Sequence, residues 1–324
     1  MKRYLLKIGL FILFFFILDY NISLVVKKGY KKINLGIEGK LNKLCYGNIS
    51  EKVIILGSSR AATHFNPMVM ENIYQKLTYN FGFGGVSVRE HYTILSTIIK
   101  RGYHPSKVIY NLGINTLEKE EKKSWRFLYK EHQPYYVDDD TIKDILREQG
   151  FRYSIKTLCR CYAYNEVFVE SIKSLLGKTH SGETYIKGAD LLNISWDKKF
   201  EEFIKNHLNG YSCEIDKKSL EYFLRIIKLT KTHKIELILV ISPEYYEIYN
   251  YQNNRRKILS FIRKMASENG LTLLDYGGGK CFLSQSKEYF YNSQHLNAKG
   301  ANIFSKIVAK DLHKIWQDRL NSPN

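Results

Sequence analysis

The chain has 324 residues, 44% hydrophobic and 14% aromatic, with a formal net charge of +18. These values exclude a disordered chain and leave room for one large domain or two small ones with a buried core. The charge favours anionic partners (phospholipid head groups, acidic polysaccharide or nucleic acid). Nucleic acid is the weaker of these, because no helix-turn-helix, zinc-finger or RNA-binding signature accompanies the charge. Twenty-five tyrosines fit a carbohydrate-facing surface, although biased base composition gives the same count. The five cysteines (Cys45, Cys159, Cys161, Cys213, Cys281) lack metal-ligand spacing, and nothing in the sequence requires a disulfide among them.

The chain begins "MKRYLLKIGLFILFFFILDYNISLVVKK". The stretch from Leu5 to Val26 reaches the length of roughly 20 residues that a bilayer helix needs, with Lys7 near one end and Asp19 inside it. No small-x-small cleavage site follows, so residues 1–26 are expected to be an uncleaved signal anchor and 27–50 a basic juxtamembrane stalk. Lysines and arginine flank both ends of the span, and their count does not set its orientation.

From Lys52 strands and helices alternate. "KVIIL" reads as a strand ending in "GSSR", and a helix is expected around Pro67 to Lys76. A second strand runs into "YNFGFGGVS", a helix follows from about Val86 to Arg101, and "KVIYNLG" is the third strand. Later come the amphipathic helix "SLEYFLRIIKLTKTH", the strongly apolar strand "IELILVIS", the helix "NRRKILSFIRKMASENG", the strand "LTLLDY" and a last helix behind "YNSQHLNAKG". This rhythm predicts an α/β domain over 51–324 with a parallel sheet covered by helices on both faces. Residues 116–216 break it; a segment this long predicts an inserted subdomain.

In an open parallel sheet, ligands bind beyond the carboxyl ends of the strands. Four polar or glycine-rich segments arrive there: "GSSR", "NFGFGG", "NLGIN" and the loop carrying His295. Taken singly they have ordinary readings: a turn with a helix cap, a turn or phosphate loop, a cap, a structural histidine. Together they offer a serine nucleophile with a histidine base, plus glycine N–H and asparagine N–H groups to hold an oxyanion.

At these residues the chain resembles the SGNH (GDSL-like) hydrolase family. The first block, G-D-S, is similar to Gly57-Ser58-Ser59, which implies Ser59 as nucleophile and puts Ser58 in the aspartate slot. The second, N-x-G-x-x-G, is matched by Asn80, Gly82 and Gly85, and the third, G-x-N, by Gly113, Ile114 and Asn115. The fifth, D-x-x-H, is matched by Asn292 and His295. The resemblance implies a flavodoxin-like parallel sheet, catalytic Ser59, His295 and Asn292, an oxyanion hole of Ser59, Gly85 and Asn115, and no metal or cofactor. The "GSSR" start, the anchor and "SPEYY" at Ser242–Tyr246 look most like membrane-anchored members that serve cell-envelope glycopolymers, such as D-alanyl transfer and alginate acetylation proteins. The partners implied are an acylated or acyl-accepting polysaccharide, membrane lipid and a membrane-bound acyltransferase, with the globular part outside the cytoplasmic membrane.

Asn292 departs from the pattern, since the acid of a Ser-His-Asp triad fixes the imidazole tautomer and stabilises imidazolium. An amide oxygen orients without charge, and a backbone carbonyl or another carboxylate (Glu288 is nearest in sequence) are alternatives. Two function classes follow: a serine acyl esterase or O-acyltransferase, and a catalytically impaired module that binds glycan or partner proteins. A flavodoxin-like nucleotide binder is disfavoured because no phosphate motif follows the first strand.

Overall fold

The computed structural model describes residues 1–119, 158–178, 184–197 and 199–321. The chain divides into two compact units, residues 1–48 with 125–182, and residues 49–124 with 183–324. Residues 120–157 of the expected insertion lie outside the described residues.

In the first unit, α1 (Lys2–Tyr30) is long and apolar enough to cross a bilayer. Its large apolar side chains from Leu5 to Leu18 are exposed. From Asp19 onward one face, at the helical spacing Asp19, Ser23, Val26 and Tyr30, is buried. It packs on the 3-10 helix Arg160–Val167 and on α6 (Phe168–Leu175). The carboxylate inside the apolar run is satisfied within this unit: Asp19 Oδ2 accepts the Arg160 N–H at 2.7 Å and Oδ1 the Cys161 N–H at 3.0 Å. The expected stalk contains a helix, α2 (Gly36–Cys45). Asn42 Nδ2 donates to the carbonyls of Tyr30 and Ile33, which ties α2 to the end of α1. All five cysteines are free thiols.

The second unit is built on β1 (Val53–Gly57), β2 (Thr78–Gly82), β3 (Lys107–Leu112), β6 (Glu236–Ile241) and β7 (Thr272–Asp275). They form one five-stranded sheet in the order β2-β1-β3-β6-β7, every pair parallel. The runs in β1, β3 and β6 are apolar almost throughout, not alternating, because both faces of the sheet are covered. On one face Val53, Ile55, Ile109, Ile238 and Val240 join a core with Met70 and Tyr74 of α4 (Pro67–Tyr74) and Phe304 and Trp316 of α10 (Ala298–Asn321). The other face is covered by α5 (Val88–Lys100) and α8 (Lys217–Thr232), whose Ile94, Ile98, Phe223 and Ile226 are buried. The described elements thus follow the expected α/β plan. The chain passes from β1 to β2 on one side and then to β3 on the other, so a crevice opens at the carboxyl ends of β1 and β3.

Part of the expected insertion packs in this unit. The hairpin of β4 (Tyr185–Ile186) and β5 (Ala189–Asp190) lies along β2, where the Asn80 N–H donates to the Lys187 carbonyl at 3.0 Å. The Asp197 N–H donates to the Tyr291 carbonyl and the Ala298 N–H to the Leu192 carbonyl, and Phe200 of α7 (Lys199–Asn206) packs on Tyr245.

Asn80 bolts β2 to α3 (Ser59–His64). Its side chain is fully buried, donates to the Ala61 and Phe65 carbonyls at 2.7 and 3.1 Å, and accepts the Gly82 N–H at 2.8 Å. Asn80→Ala strands three backbone groups, so it is expected to lower stability by about 2–3 kcal/mol. Urea unfolding of the detergent-solubilised chain, followed by tryptophan fluorescence, reads this directly; an unchanged midpoint would contradict the assignment.

Candidate active site

β1 ends at Gly57 with φ +142°, and a Cβ there would stand 2.9 Å from the Asn111 carbonyl oxygen and 2.8 Å from the Ala61 Cβ. Only glycine permits so close a turn from strand into helix. Ser58 takes the N-cap position and Ser59 is the first residue of α3, so the serine is presented at the carboxyl edge of the sheet. A cleft of about 290 Å³ opens there, bordered by Ser58, Ser59, Gly85, Val86, Asn115 and Thr116.

His295 comes from a second hairpin, β8 (Phe290–Asn292) with β9 (His295–Leu296). Its Nε2 lies 2.7 Å from Ser59 Oγ, and its Nδ1 lies 2.9 Å from Asn292 Oδ1. Asn292 Oδ1 also accepts the backbone N–H groups of Gln294 and His295, each at 3.0 Å. Two amide donors fix that atom as the oxygen, so the ring nitrogen facing it must carry the proton. Nε2 is then left as the acceptor for the Ser59 hydroxyl. The histidine is oriented by an amide oxygen, without charge. The alternative carboxylate, Glu288, is paired with Lys299 and is not the group on Nδ1. Tyr291 stacks on the imidazole at 5.3 Å between centroids and 11° between planes.

The oxyanion residues named by the sequence, Ser59, Gly85 and Asn115, border the same cleft. Asn80 and Gly82 of the second block do not; they hold β2 against α3. An ester carbonyl entering the cleft meets a hydroxyl bonded to a free imidazole nitrogen, with backbone and amide donors beside it. That is the equipment of acyl transfer.

Several site residues escaped the sequence reading. His64 is fully buried, and its Nε2 accepts the Leu296 N–H at 3.0 Å, which holds the strand that carries His295. Arg60, directly behind Ser59, is 5% exposed and pairs with Glu244 Oε1 at 3.1 Å. Glu244 is 2% exposed and pairs also with Arg255 at 2.7 Å. The available signals were a charge on a short helix that must face the core, and an acid three residues past the end of the most apolar strand.

Burial lowers the His295 pKa to about 4; Arg60 and Lys199 push the same way, while Glu244 opposes them. Burial, His295 and Arg60 hold His64 well below the usual imidazole value, and burial takes His91 to about 3. Burial alone would raise Glu244, but Arg60 and Arg255 outweigh it and keep the carboxylate ionised.

No protein-family model matches the chain, and no curated protein matches it in sequence. Among solved structures it is similar to a GDSL-like lipase from Bacteroides thetaiotaomicron, with 10% identity over 82% of this chain and 89% of that one and a TM-score of 0.36. It is also similar to a catalytic mutant of an acetylxylan esterase from Geobacillus stearothermophilus, with 11% identity over 81% of this chain and 94% of that one and a TM-score of 0.37. The weight falls on the site's own geometry. There, the sheet is parallel, Ser59 and His295 share a hydrogen bond, and Ser59, Gly85 and Asn115 border one cleft.

A base of this kind works only when neutral. The acid limb of kcat/KM for an aryl acetate is therefore expected near pH 4, well below the usual imidazole range, with activity lost as pH falls through it. Among the described residues, every hydrogen bond of the Asn292 side chain falls on Oδ1, an atom that aspartate retains. Asn292→Asp should therefore fold, move the limb upward and raise the plateau rate roughly tenfold, which needs only about 1.4 kcal/mol. A pH–rate profile of both proteins checks this. Stability has the same sign: unfolded imidazoles protonate near 6.5, whereas the folded ones stay neutral down to about 4 and 3. Stability should be intact above that value and fall as pH is lowered through the window.

Proposed function

We propose that the protein is an SGNH-type serine acyl esterase or O-acyltransferase, anchored at the outer face of the cytoplasmic membrane and acting on a cell-surface polysaccharide. The observation that carries the reading is the Ser59 Oγ–His295 Nε2 hydrogen bond at 2.7 Å, with Nδ1 held by Asn292. Ser59 Oγ attacks the ester carbonyl while Nε2 takes the hydroxyl proton. The oxyanion is held by the donors of Ser59, Gly85 and Asn115. As the tetrahedral adduct collapses, the ester C–O bond breaks and the imidazolium returns the proton to the leaving alkoxide. The acyl-enzyme then passes its acyl group to water, giving an acid, or to a sugar hydroxyl, giving a new ester.

The membrane location is supported by α1, and the polysaccharide by the +18 charge and the resemblance to envelope-anchored members. One observation favours the second reading, a glycan- or partner-binding module: an amide stands where a carboxylate would stabilise the imidazolium.

A fluorophosphonate probe separates the two readings. Labelling of the full-length protein in membranes, abolished in Ser59→Ala, is the expected result; no labelling of either form favours the binding module. Ser59→Ala and His295→Ala should each abolish aryl acetate turnover, and Asn115→Ala should lower kcat by about 10²–10³. For the anchor, the expected result is a mature N-terminus before Leu5 and a reporter fused after Asn324 that is active outside the cytoplasm. A mature N-terminus beyond Val26 would overturn it.

A further inference from the structure

We infer that Arg60 is a positioning residue for the oxyanion site: its guanidinium selects the orientation of the Asn115 amide and polarises it, with Glu244 and Gly113 fixing its place. The inference rests on the serine acyl-transfer reading above.

Arg60 stands in the first turn of α3, one residue after the nucleophile, with its side chain buried. Nη2 donates to Asn115 Oδ1 at 3.2 Å, and Nη1 pairs with Glu244 Oε1. The two ends of an asparagine amide are nearly equal in shape, so sterics alone leave the side chain free to flip. A guanidinium has only donors. It can therefore bond the oxygen end alone, and it leaves Nδ2 as the end of Asn115 available to a ligand in the cleft. Of the two orientations, only this one stabilises an oxyanion. A cation on the amide oxygen also draws charge from the nitrogen and makes its N–H groups better donors.

Glu244 holds the other side of the fork. Its second oxygen is taken by Arg255, and Gln252 Nε2 donates to Oε1 at 3.3 Å. The carboxylate is thus pinned from three directions and gives Arg60 a fixed abutment. Gly113 supplies the space. A Cβ at that position would fall 1.3 Å from Arg60 Nη2 and 2.5 Å from its Cζ. The guanidinium occupies the volume that any other residue in the third block would fill. Positions 60, 113, 115 and 244 are therefore one device: the glycine is there for the arginine, and the arginine for the asparagine.

The test is a double-mutant cycle on the purified full-length protein, read as kcat and KM for an aryl acetate. Arg60→Gln should lower kcat roughly tenfold or more, short of the loss from Asn115→Ala, with KM little changed. Arg60→Lys, which keeps a cationic donor, should recover part of it. Gly113→Ala, whose Cβ displaces the guanidinium and also stands 3.0 Å from Asn115 Oδ1, should lower kcat in the same way. In an Asn115→Ala background, both Arg60→Gln and Gly113→Ala should lose most of their effect, a signature that general destabilisation does not produce. Multiplicative losses in that background, or an effect confined to KM, would overturn the inference. If Arg60→Gln does not fold, by its unfolding midpoint, the same cycle with Arg60→Lys decides: its smaller loss in kcat should likewise vanish in the Asn115→Ala background, and a multiplicative loss would overturn the inference. A wild type that never reacts with fluorophosphonate overturns the acyl-transfer reading and this inference with it. A reactive wild type with multiplicative losses overturns this inference only.

Discussion

A partly buried imidazole with a guanidinium in electrostatic reach rests neutral, and the loops around the candidate site are arranged about that resting state. His295 receives no carboxylate on Nδ1, only the Asn292 amide oxygen, which already accepts two backbone N–H groups. Orientation is thereby supplied in full and charge is withheld. The carboxylate that acts on His295 electrostatically, Glu244, is already committed to two arginines. A base so placed keeps its lone pair at mildly acidic pH but is a weaker proton acceptor than a triad histidine.

The fold delivers these groups through the order of its strands. Because the chain crosses from one side of β1 to the other, the loops after β1 and β3 meet at one edge, and Ser59 and Asn115 face a common cleft. His295 does not belong to the sheet. It rides on a two-stranded hairpin that needs external support, given by His64 on Leu296 and by backbone bonds from residues 192 and 197. The same economy is visible in α1, where backbone donors at Arg160 and Cys161 take up the Asp19 carboxylate.

The core strands and the helices around them were legible because their signals are local. Runs such as Val53–Gly57 and Glu236–Ile241 are apolar on both faces, and α8 repeats its apolar residues at helical spacing. The candidate site was legible in part for a different reason: Ser59, Gly85 and Asn115 follow recognisable strand ends, which a parallel sheet sends to one edge, and His295 precedes a recognisable helix. Short elements were missed. α2 carries a thin apolar face, and β8 and β9 are stabilised by neighbours outside their own segments.

By itself the sequence determined the class of fold and the apolar N-terminal helix, and it singled out Ser59, His295, Gly85 and Asn115 as candidates. Those depend on composition, period and order along the chain. The tertiary structure alone decided which atom of Asn292 meets the imidazole and which end of Asn115 is free for a ligand. It also decided that Arg60, Gly113 and Glu244 act together. Those are questions of hydrogen-bond direction and excluded volume between segments far apart in sequence, and no local pattern encodes them.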